Sequence, residues 1–211
     1  MLRFALFLCV ASAMLAAPIT GLNNTGTNAI GGVDQSWTVT PLPGGNPGTP
    51  FAPVVVTGWP VTGGGPWLAN DATSSWIARM ADYTGQADLE DTVYRFDLPF
   101  NLAPEYANMA YFRFRVAADN AVSRVFLNNT EINGVTAPDN FDFSDVYTVA
   151  SGFQASNVFS VYVFNASGLD GNPMGLRVEF TESADTPEPG TFALLGGALC
   201  GLGLITRLLR K

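Results

Sequence analysis

Strict alternation of apolar and polar residues recurs along the second half of the chain. Within Val93–Leu98 aromatic and leucine side chains occupy every second position, and Tyr111–Val116 and Leu176–Thr181 repeat the pattern. A period of two places alternate residues on one face of a β-strand, so each segment predicts a strand with one buried face. Val158–Phe164 is apolar on both faces apart from Ser160, which is typical of a strand at the centre of a sandwich.

Shorter strands are predicted where β-branched residues lie between turn formers. They are Ser36–Thr40, Pro53–Thr57, Ser123–Leu127 and Val146–Val149. Residues 18–65 are rich in glycine, asparagine, threonine and proline, and the centre of the chain contains no long amphipathic pattern of helical period. These features predict an all-β fold, an antiparallel β-sandwich domain that occupies residues 18–185.

The first 17 residues differ from this alternating centre. Residues 1–17 begin with the single Arg3, continue with the apolar run Phe4–Val10 and end in small residues. This order is that of a secretory signal peptide, with cleavage after Ala13 or, alternatively, after Ala17. We therefore expect the protein to be exported; the alternative interpretation is a buried N-terminal helix.

Residues 186–211 form a second apolar end. Phe192–Thr206 carries no charge and would be a helix about 22 Å long, shorter than the hydrocarbon core of about 30 Å. Extension through Leu209 gives about 27 Å, which spans a slightly thinned bilayer. The sequence thus predicts a single C-terminal transmembrane helix, with its basic end in the cytoplasm and the acidic domain outside.

The same segment resembles the PEP-CTERM sorting signal of exopolysaccharide-producing Gram-negative bacteria. That signal consists of a Pro-Glu-Pro motif, a short helix rich in glycine, leucine and alanine, and a basic tail. The resemblance implies recognition of the motif by exosortase, a membrane-embedded protease-transpeptidase, with the helix as a transient anchor. The motif residues are Pro187, Glu188 and Pro189, and the stop-transfer charges are Arg207, Arg210 and Lys211. A permanent single-span anchor is the alternative.

Five central segments together resemble a galactose-binding-like jelly roll. They are Trp76–Arg79, Tyr94–Pro99, Phe114–Asn120, Arg124–Asn128 and Asn157–Asn165. The resemblance implies a jelly-roll arrangement of the predicted sandwich, a fold that supports many ligands and also pure spacers. The sequence departs from the family pattern at Asn129, where glycine is expected, and this departure concerns the geometry of the turn.

The amino-acid composition limits the catalytic and metal-binding sites that the central domain can contain. The chain contains no histidine, and its only cysteines, Cys9 and Cys200, lie in the apolar ends. Histidine-dependent triads, histidine-ligated metals and cysteine nucleophiles are therefore excluded from the central domain, which we expect to be non-catalytic. Residues 18–185 hold six arginines, no lysine and 17 acidic residues, a net charge of −11. Such a domain disfavours nucleic acid and anionic lipid headgroups as partners.

Tryptophans suggest one candidate binding site. Trp59, Trp67 and Trp76 lie close together in the sequence, with Asn70 and Asp71 between them. Indole faces can stack on sugar rings while amide and carboxylate groups accept hydrogen bonds from hydroxyls, so these residues are candidates for carbohydrate binding. The alternative is that the tryptophans cap the hydrophobic core.

Oxygen-rich segments suggest weaker candidates. Asp170 and Asn172, near Asn165, are weak candidates for Ca²⁺ ligands, as are the acidic and amide residues of 139–145, although neither follows a known calcium-loop spacing. The run 88–91 contains three acids and is interpreted as a solvated strand edge rather than a catalytic carboxylate pair. No cofactor is expected apart from this weakly indicated Ca²⁺.

Two functions fit these observations. One is a carbohydrate-binding module at the cell surface or in the exopolysaccharide matrix, whose acidity favours a neutral polysaccharide. The other is a structural matrix or spacer protein without a small-molecule site. In both, the expected partners during export are the inner membrane and an exosortase.

Overall fold

The computed structural model describes residues 18–167 and 172–185, which form twelve β-strands. In chain order these are β1 (Ala29–Ile30), β2 (Val33–Asp34), β3 (Thr38–Leu42), β4 (Val54–Val55), β5 (Ile77–Ala78), β6 (Thr92–Asn101), β7 (Tyr111–Asp119), β8 (Ala121–Leu127), β9 (Thr130–Glu131), β10 (Tyr147–Val149), β11 (Ser156–Asn165) and β12 (Gly175–Ala184). Two short 3-10 turns, Pro43–Gly45 and Pro104–Tyr106, interrupt the connections.

The strands form two antiparallel sheets that pack on one another. The larger sheet has the order β1-β2-β4-β5-β12-β7-β10, and the smaller has the order β3-β6-β11-β8-β9. A shared hydrophobic core with residues from both sheets lies between them. This confirms the predicted all-β antiparallel sandwich.

The long strands occur where the alternating pattern predicts them. In β6 the side chains of Tyr94, Phe96 and Leu98 are buried in the core, and Val93 and Arg95 lie on the opposite face, as expected. Strand β11 is the middle strand of the smaller sheet and pairs with both β6 and β8, which confirms its predicted central position. The two-residue strands β1, β2, β5 and β9 were not predicted, because two residues cannot display a period.

Aromatic rings fill the centre of the core. Phe112, on β7, has edge-on contacts with five neighbouring rings at centroid distances of 5.4–6.4 Å, and Trp37 packs edge-on against Phe159. The rings that surround Phe112 are Phe100, Phe114, Phe153, Phe159 and Phe180. Edge-to-face pairs of this kind add stabilisation beyond the burial of their area.

Asn128 makes the turn that follows β8. It adopts φ 57°, a left-handed conformation that asparagine tolerates, whereas Asn129 does not have a positive φ. The Asn128 amide donates to the carbonyl of Gly152 at 2.9 Å and accepts from the amide N–H of Val158 at 2.9 Å. The departure from glycine at Asn129 is thus compatible with the turn, because the left-handed residue is Asn128.

The predicted signal peptide, 1–17, and the sorting segment, 186–211, lie outside the described residues. Within the described ranges, no helix has the length and apolarity needed to cross a bilayer.

Candidate functional site

The connection between β4 and β5, residues 56–76, lies against the outer face of the larger sheet; we call it the cover. Its apolar side chains form a second hydrophobic cluster with Ala117 of β7 and with Tyr83. Ala117 points away from the main core, since its neighbours Val116 and Ala118 are part of that core. The larger sheet is therefore buried on both faces where the cover lies.

Trp67 and Trp76 form the centre of the cover. Their rings stack at a centroid distance of 4.3 Å, and they are only 3% and 0% exposed. The Trp67 indole N–H donates to Asp119 at 2.8 Å, and that of Trp76 donates to the carbonyl of Leu68 at 2.8 Å. Neither indole offers a free face to a sugar, so these two rings serve burial, as in the alternative interpretation.

Trp59 is partly buried and packs against the same cluster. The two polar residues proposed beside the tryptophans shape the cover itself. The Asn70 amide donates to the carbonyl of Val56 at 2.7 Å and accepts from the N–H of Trp76 at 2.8 Å. This amide therefore bridges the two ends of the cover.

Asp71 is the other polar residue of the predicted sugar site. Its carboxylate accepts from the N–H groups of Thr73 and Ser74, and it pairs with Arg177 at 2.8 Å. Burial is the largest single influence and opposes ionisation, but these two N–H groups and Arg177 together outweigh it and hold the pKa of Asp71 below its ordinary value. Asn70 and Asp71 thus have structural partners within the protein.

Arg177 connects the cover to β12. Its guanidinium is 0% exposed and donates to the Ser74 hydroxyl and to the carbonyl of Ala69, each at 2.6 Å. It also pairs with Glu179, two residues along β12, at 3.5 Å. The alternation in β12 would place both charges in solvent, so their burial is a feature that the sequence pattern did not reveal.

Phe143 and Arg115 complete this buried network. Arg115 pairs with Glu179 at 2.6 Å, and its guanidinium lies 4.1 Å from the centroid of Phe143. The guanidinium of Arg177 lies 5.0 Å from the same ring. The charged and polar groups of this network pair with one another and connect β7, β12 and the cover.

Asp119 is the buried acid under Trp67. It is 4% exposed, and burial raises the pKa of its carboxyl to about 6, although the hydrogen bond from Trp67 acts in the opposite direction. The hydrogen bond from the Trp67 indole, at 2.8 Å, gives this buried carboxyl a partner within the cover.

The oxygen-rich candidates for Ca²⁺ have polar partners of their own. Asn172 is buried. Its side-chain amide donates to the carbonyl of Ala166, and its backbone carbonyl accepts from the N–H of Asp88. Asp170 lies outside the described residues. In the segment 139–145, Asp142 accepts from the N–H of Phe143. Within the described ranges, no group of three or more acidic residues is arranged to hold a metal.

The acidic run at residues 88–91 divides into two parts. Glu90 and Asp91 are exposed, in agreement with a solvated edge, but Asp88 is buried. The Asp88 carboxylate accepts from Arg79 and from the hydroxyl of Tyr83. The prediction that the whole run is solvated is therefore wrong at Asp88. Arg79 pairs with its carboxylate and the Tyr83 hydroxyl donates a hydrogen bond to it, and these partners allow its burial.

The smaller sheet presents a different outer surface, which we call the open face. It consists of Arg95, Asp97, Arg124, Phe126, Ser160 and Tyr162. These side chains point away from the core, because their chain neighbours Phe96, Val125 and Val161 are buried in it. None of these residues was a predicted site residue.

Strand register brings the open face together. Arg95 of β6 and Arg124 of β8 both stand directly opposite Tyr162 of β11, one on each side. In the next row, Asp97 and Phe126 stand opposite Ser160 in the same way. The result is a tyrosine flanked by an arginine on each neighbouring strand, within a sheet rather than on loops.

Polar contacts fix one side of the open face. Asp97 accepts from Arg95 at 2.8 Å and from the Ser160 hydroxyl at 2.6 Å. Burial alone would lower the pKa of Arg95, but Asp97, with a smaller contribution from the Tyr162 hydroxyl, holds it above its ordinary value. Phe126 packs edge-on against Tyr162 at a centroid distance of 5.4 Å. The tyrosine is therefore held in place, and it remains partly exposed.

Two depressions adjoin at Tyr162. One, of about 430 Å³, is lined by the Arg95–Asp97–Ser160 side together with Asn128 and Gln154. The other, of about 370 Å³, is lined by Leu42, Asp91, Val93 and Arg124. An aromatic ring between two depressions, one mainly polar and one mainly apolar, can hold a sugar face while polar groups on both sides reach its hydroxyl groups.

The chain matches no protein-family model and shows no significant similarity to any curated protein. The motif Pro187–Pro189 and the basic residues of the tail lie outside the described residues.

Substitution of Gly175 tests how closely the cover packs on β12. A Cβ atom at this position would collide with the Trp67 ring, so Gly175→Ala should lower the free energy of unfolding by about 1–3 kcal/mol. The effect should shrink in a Trp67→Leu background, where the ring is absent. Chemical denaturation of the two single variants and the double variant measures this coupling; strictly additive losses would contradict it.

The buried carboxyl of Asp119 should make the free energy of unfolding depend on pH. Because its folded pKa is raised from 3.8 to about 6, the native state binds this proton more tightly, and stability is lost as the pH rises through this interval. Asp119→Asn removes the charge and keeps an acceptor for Trp67. The variant should match the wild type near pH 3.5 and exceed it by about 3 kcal/mol above pH 6.5. Denaturation curves between pH 3.5 and 7.5 check this, and a difference independent of pH would refute it.

Proposed function

We propose that this chain is an exported, non-catalytic β-sandwich protein of the jelly-roll kind, whose open face binds carbohydrate. The observation that carries the proposal is the partly exposed ring of Tyr162, held between Arg95 and Arg124 on paired strands. Sugar binding needs a flat apolar surface with hydrogen-bonding groups around it, and this combination lies on the open face.

The shape of the open face favours a chain-like ligand. Four strands, β3, β6, β11 and β8, cross the region, and three spacings between them cover about 14 Å. A surface of this width accommodates several sugar units of a polysaccharide, with Tyr162 under one of them. Asp97 and Ser160 on one side and Asp91 on the other offer acceptors for hydroxyl groups.

A structural role is the second candidate. It is favoured by the burial of Trp67 and Trp76, the aromatic residues that the sequence alone suggested for binding. In this role the sandwich would act as a spacer or matrix component, and the open face would have no small-molecule ligand.

For localisation we propose delivery by the signal peptide and sorting through the Pro187-Glu188-Pro189 motif. The supporting features are the order of motif, uncharged Phe192–Thr206 and basic tail. The partners are then the inner membrane of a Gram-negative bacterium, an exosortase and the exopolysaccharide. The mature form resides at the cell surface or in the matrix. A permanently anchored form would have the same topology without loss of the tail.

Tyr162→Ala tests carbohydrate binding. Loss of the ring should weaken binding to polysaccharides by about tenfold or more, whereas Tyr162→Phe, which keeps the ring, should retain most of it. The measurement is affinity electrophoresis of the protein in gels containing a panel of neutral and acidic polysaccharides. If the wild type binds no member of the panel, the structural role replaces this proposal.

Glu188→Ala tests sorting. If the motif is recognised chemically, the variant should keep its C-terminal segment in cells that possess an exosortase, whereas the wild type should lose it. Mass spectrometry of the exported protein identifies the last residue in each case. Lys211 on the exported wild-type protein would leave the permanent anchor as the answer.

A further inference from the structure

Arg124 differs in its pairing from the other arginines of the domain. Five of the six arginines in the described residues pair with carboxylates: Arg79, Arg95, Arg113, Arg115 and Arg177. Arg124 is exposed and has no ion pair with any described residue. In a domain with 17 acidic residues, a guanidinium without a carboxylate partner is available for an external anion.

Its position connects this free charge to the open face. Arg124 stands opposite Tyr162 and lines the same depression as Ser123 and Asp91. Asp91 forms no ion pair with it; its carboxylate accepts from the N–H of Ser167 at 3.2 Å. On the opposite side of Tyr162, Arg95 is already occupied by Asp97 at 2.8 Å. The open face therefore has one committed guanidinium and one free guanidinium.

From this arrangement we infer that the open face selects a carboxylated polysaccharide, with a uronic-acid carboxylate on Arg124 and the sugar ring on Tyr162. This inference rests on the proposed function and defines its ligand. A planar guanidinium matches a carboxylate with two parallel hydrogen bonds, and such charge-assisted bonds are stronger than neutral ones. Asp91, in the same depression, can accept hydrogen bonds from hydroxyl groups of the same sugar.

The overall acidity of the protein does not prevent this selection. Exposed charges are screened beyond about 8 Å at physiological ionic strength, so the nearest groups determine the potential felt by a bound carboxylate. The net charge of the domain slows the approach of a polyanion, while Arg124 fixes it once bound. The expected preference for a neutral polysaccharide follows from the net charge alone. The arrangement of residues around Arg124 favours a carboxylated polysaccharide instead.

The test compares one glycan in two charge states. Polygalacturonate oligosaccharides and their carboxyl-reduced, neutral counterparts are titrated against the full chain in non-ionic detergent, by calorimetry at 50 mM and 300 mM NaCl. The wild type should bind the acidic form about tenfold more tightly at 50 mM, and the preference should decrease at 300 mM. Arg124→Gln should bind both forms equally, at the neutral-form affinity.

Arg113→Gln is the matched control. Arg113 is an exposed arginine on the larger sheet, paired with Glu182, and its loss changes the net charge by the same amount. It should leave the preference unchanged. Equal loss in both variants would overturn the inference in favour of bulk charge, and a preference that survives Arg124→Gln would also overturn it.

Three further outcomes are decisive. Equal binding of both glycans by the wild type refutes the selection while the proposed carbohydrate binding stands. Binding of neither glycan, nor of any other polysaccharide, refutes both. Tighter binding of a sulfated dextran than of polygalacturonate would overturn the carboxylate as the ligand group.

Discussion

The arrangement of this sandwich depends on the contacts between the buried guanidinium of Arg177 and the cover. Once β12 places a charge on the outer face of the larger sheet, that face needs partners for it, and Ser74, Ala69 and Asp71 of the cover provide them. An unpaired buried charge would cost about 3–5 kcal/mol, so the cover and Arg177 require each other. The stacked rings of Trp67 and Trp76 fill the centre of the cover, and glycine at position 175 leaves room for the Trp67 ring.

This dependence makes the two outer faces unequal. Where the cover lies, the outer face of the larger sheet is buried, and its polar groups have partners within the protein. The smaller sheet carries arginine, aspartate and tyrosine side chains on its outer face that are partly or fully exposed, with the buried Ser160 between them. A binding surface on paired strands is preorganised, because the register of β6, β11 and β8 sets the spacing of Arg95, Tyr162 and Arg124.

Periodicity was sufficient to predict the strands that build the core. In a strand with one buried face every second side chain points into the core, and Phe96 and Phe112 occupy such positions and are buried. It was insufficient for Arg177 and Asp88, since an alternating pattern assigns charged residues to solvent and cannot show that partners distant in the sequence compensate them. Tryptophan at positions 67 and 76 fits either burial or binding. Only the packing of the cover on Ala117 and Gly175 separates the two.

The open face could not be recognised from the sequence, because its residues come from three strands and are neighbours only through register. In the one-dimensional pattern, Tyr162 is one more apolar residue of a central strand. Its surroundings also constrain affinity: Arg95 is held by Asp97, whereas binding must immobilise Arg124 at a cost of about 0.5–1.5 kcal/mol. In the proposed carbohydrate binding, a shallow face with one such anchor would hold each sugar weakly. On a repetitive polymer, many copies of the protein or repeated contacts along one chain convert weak sites into stable attachment.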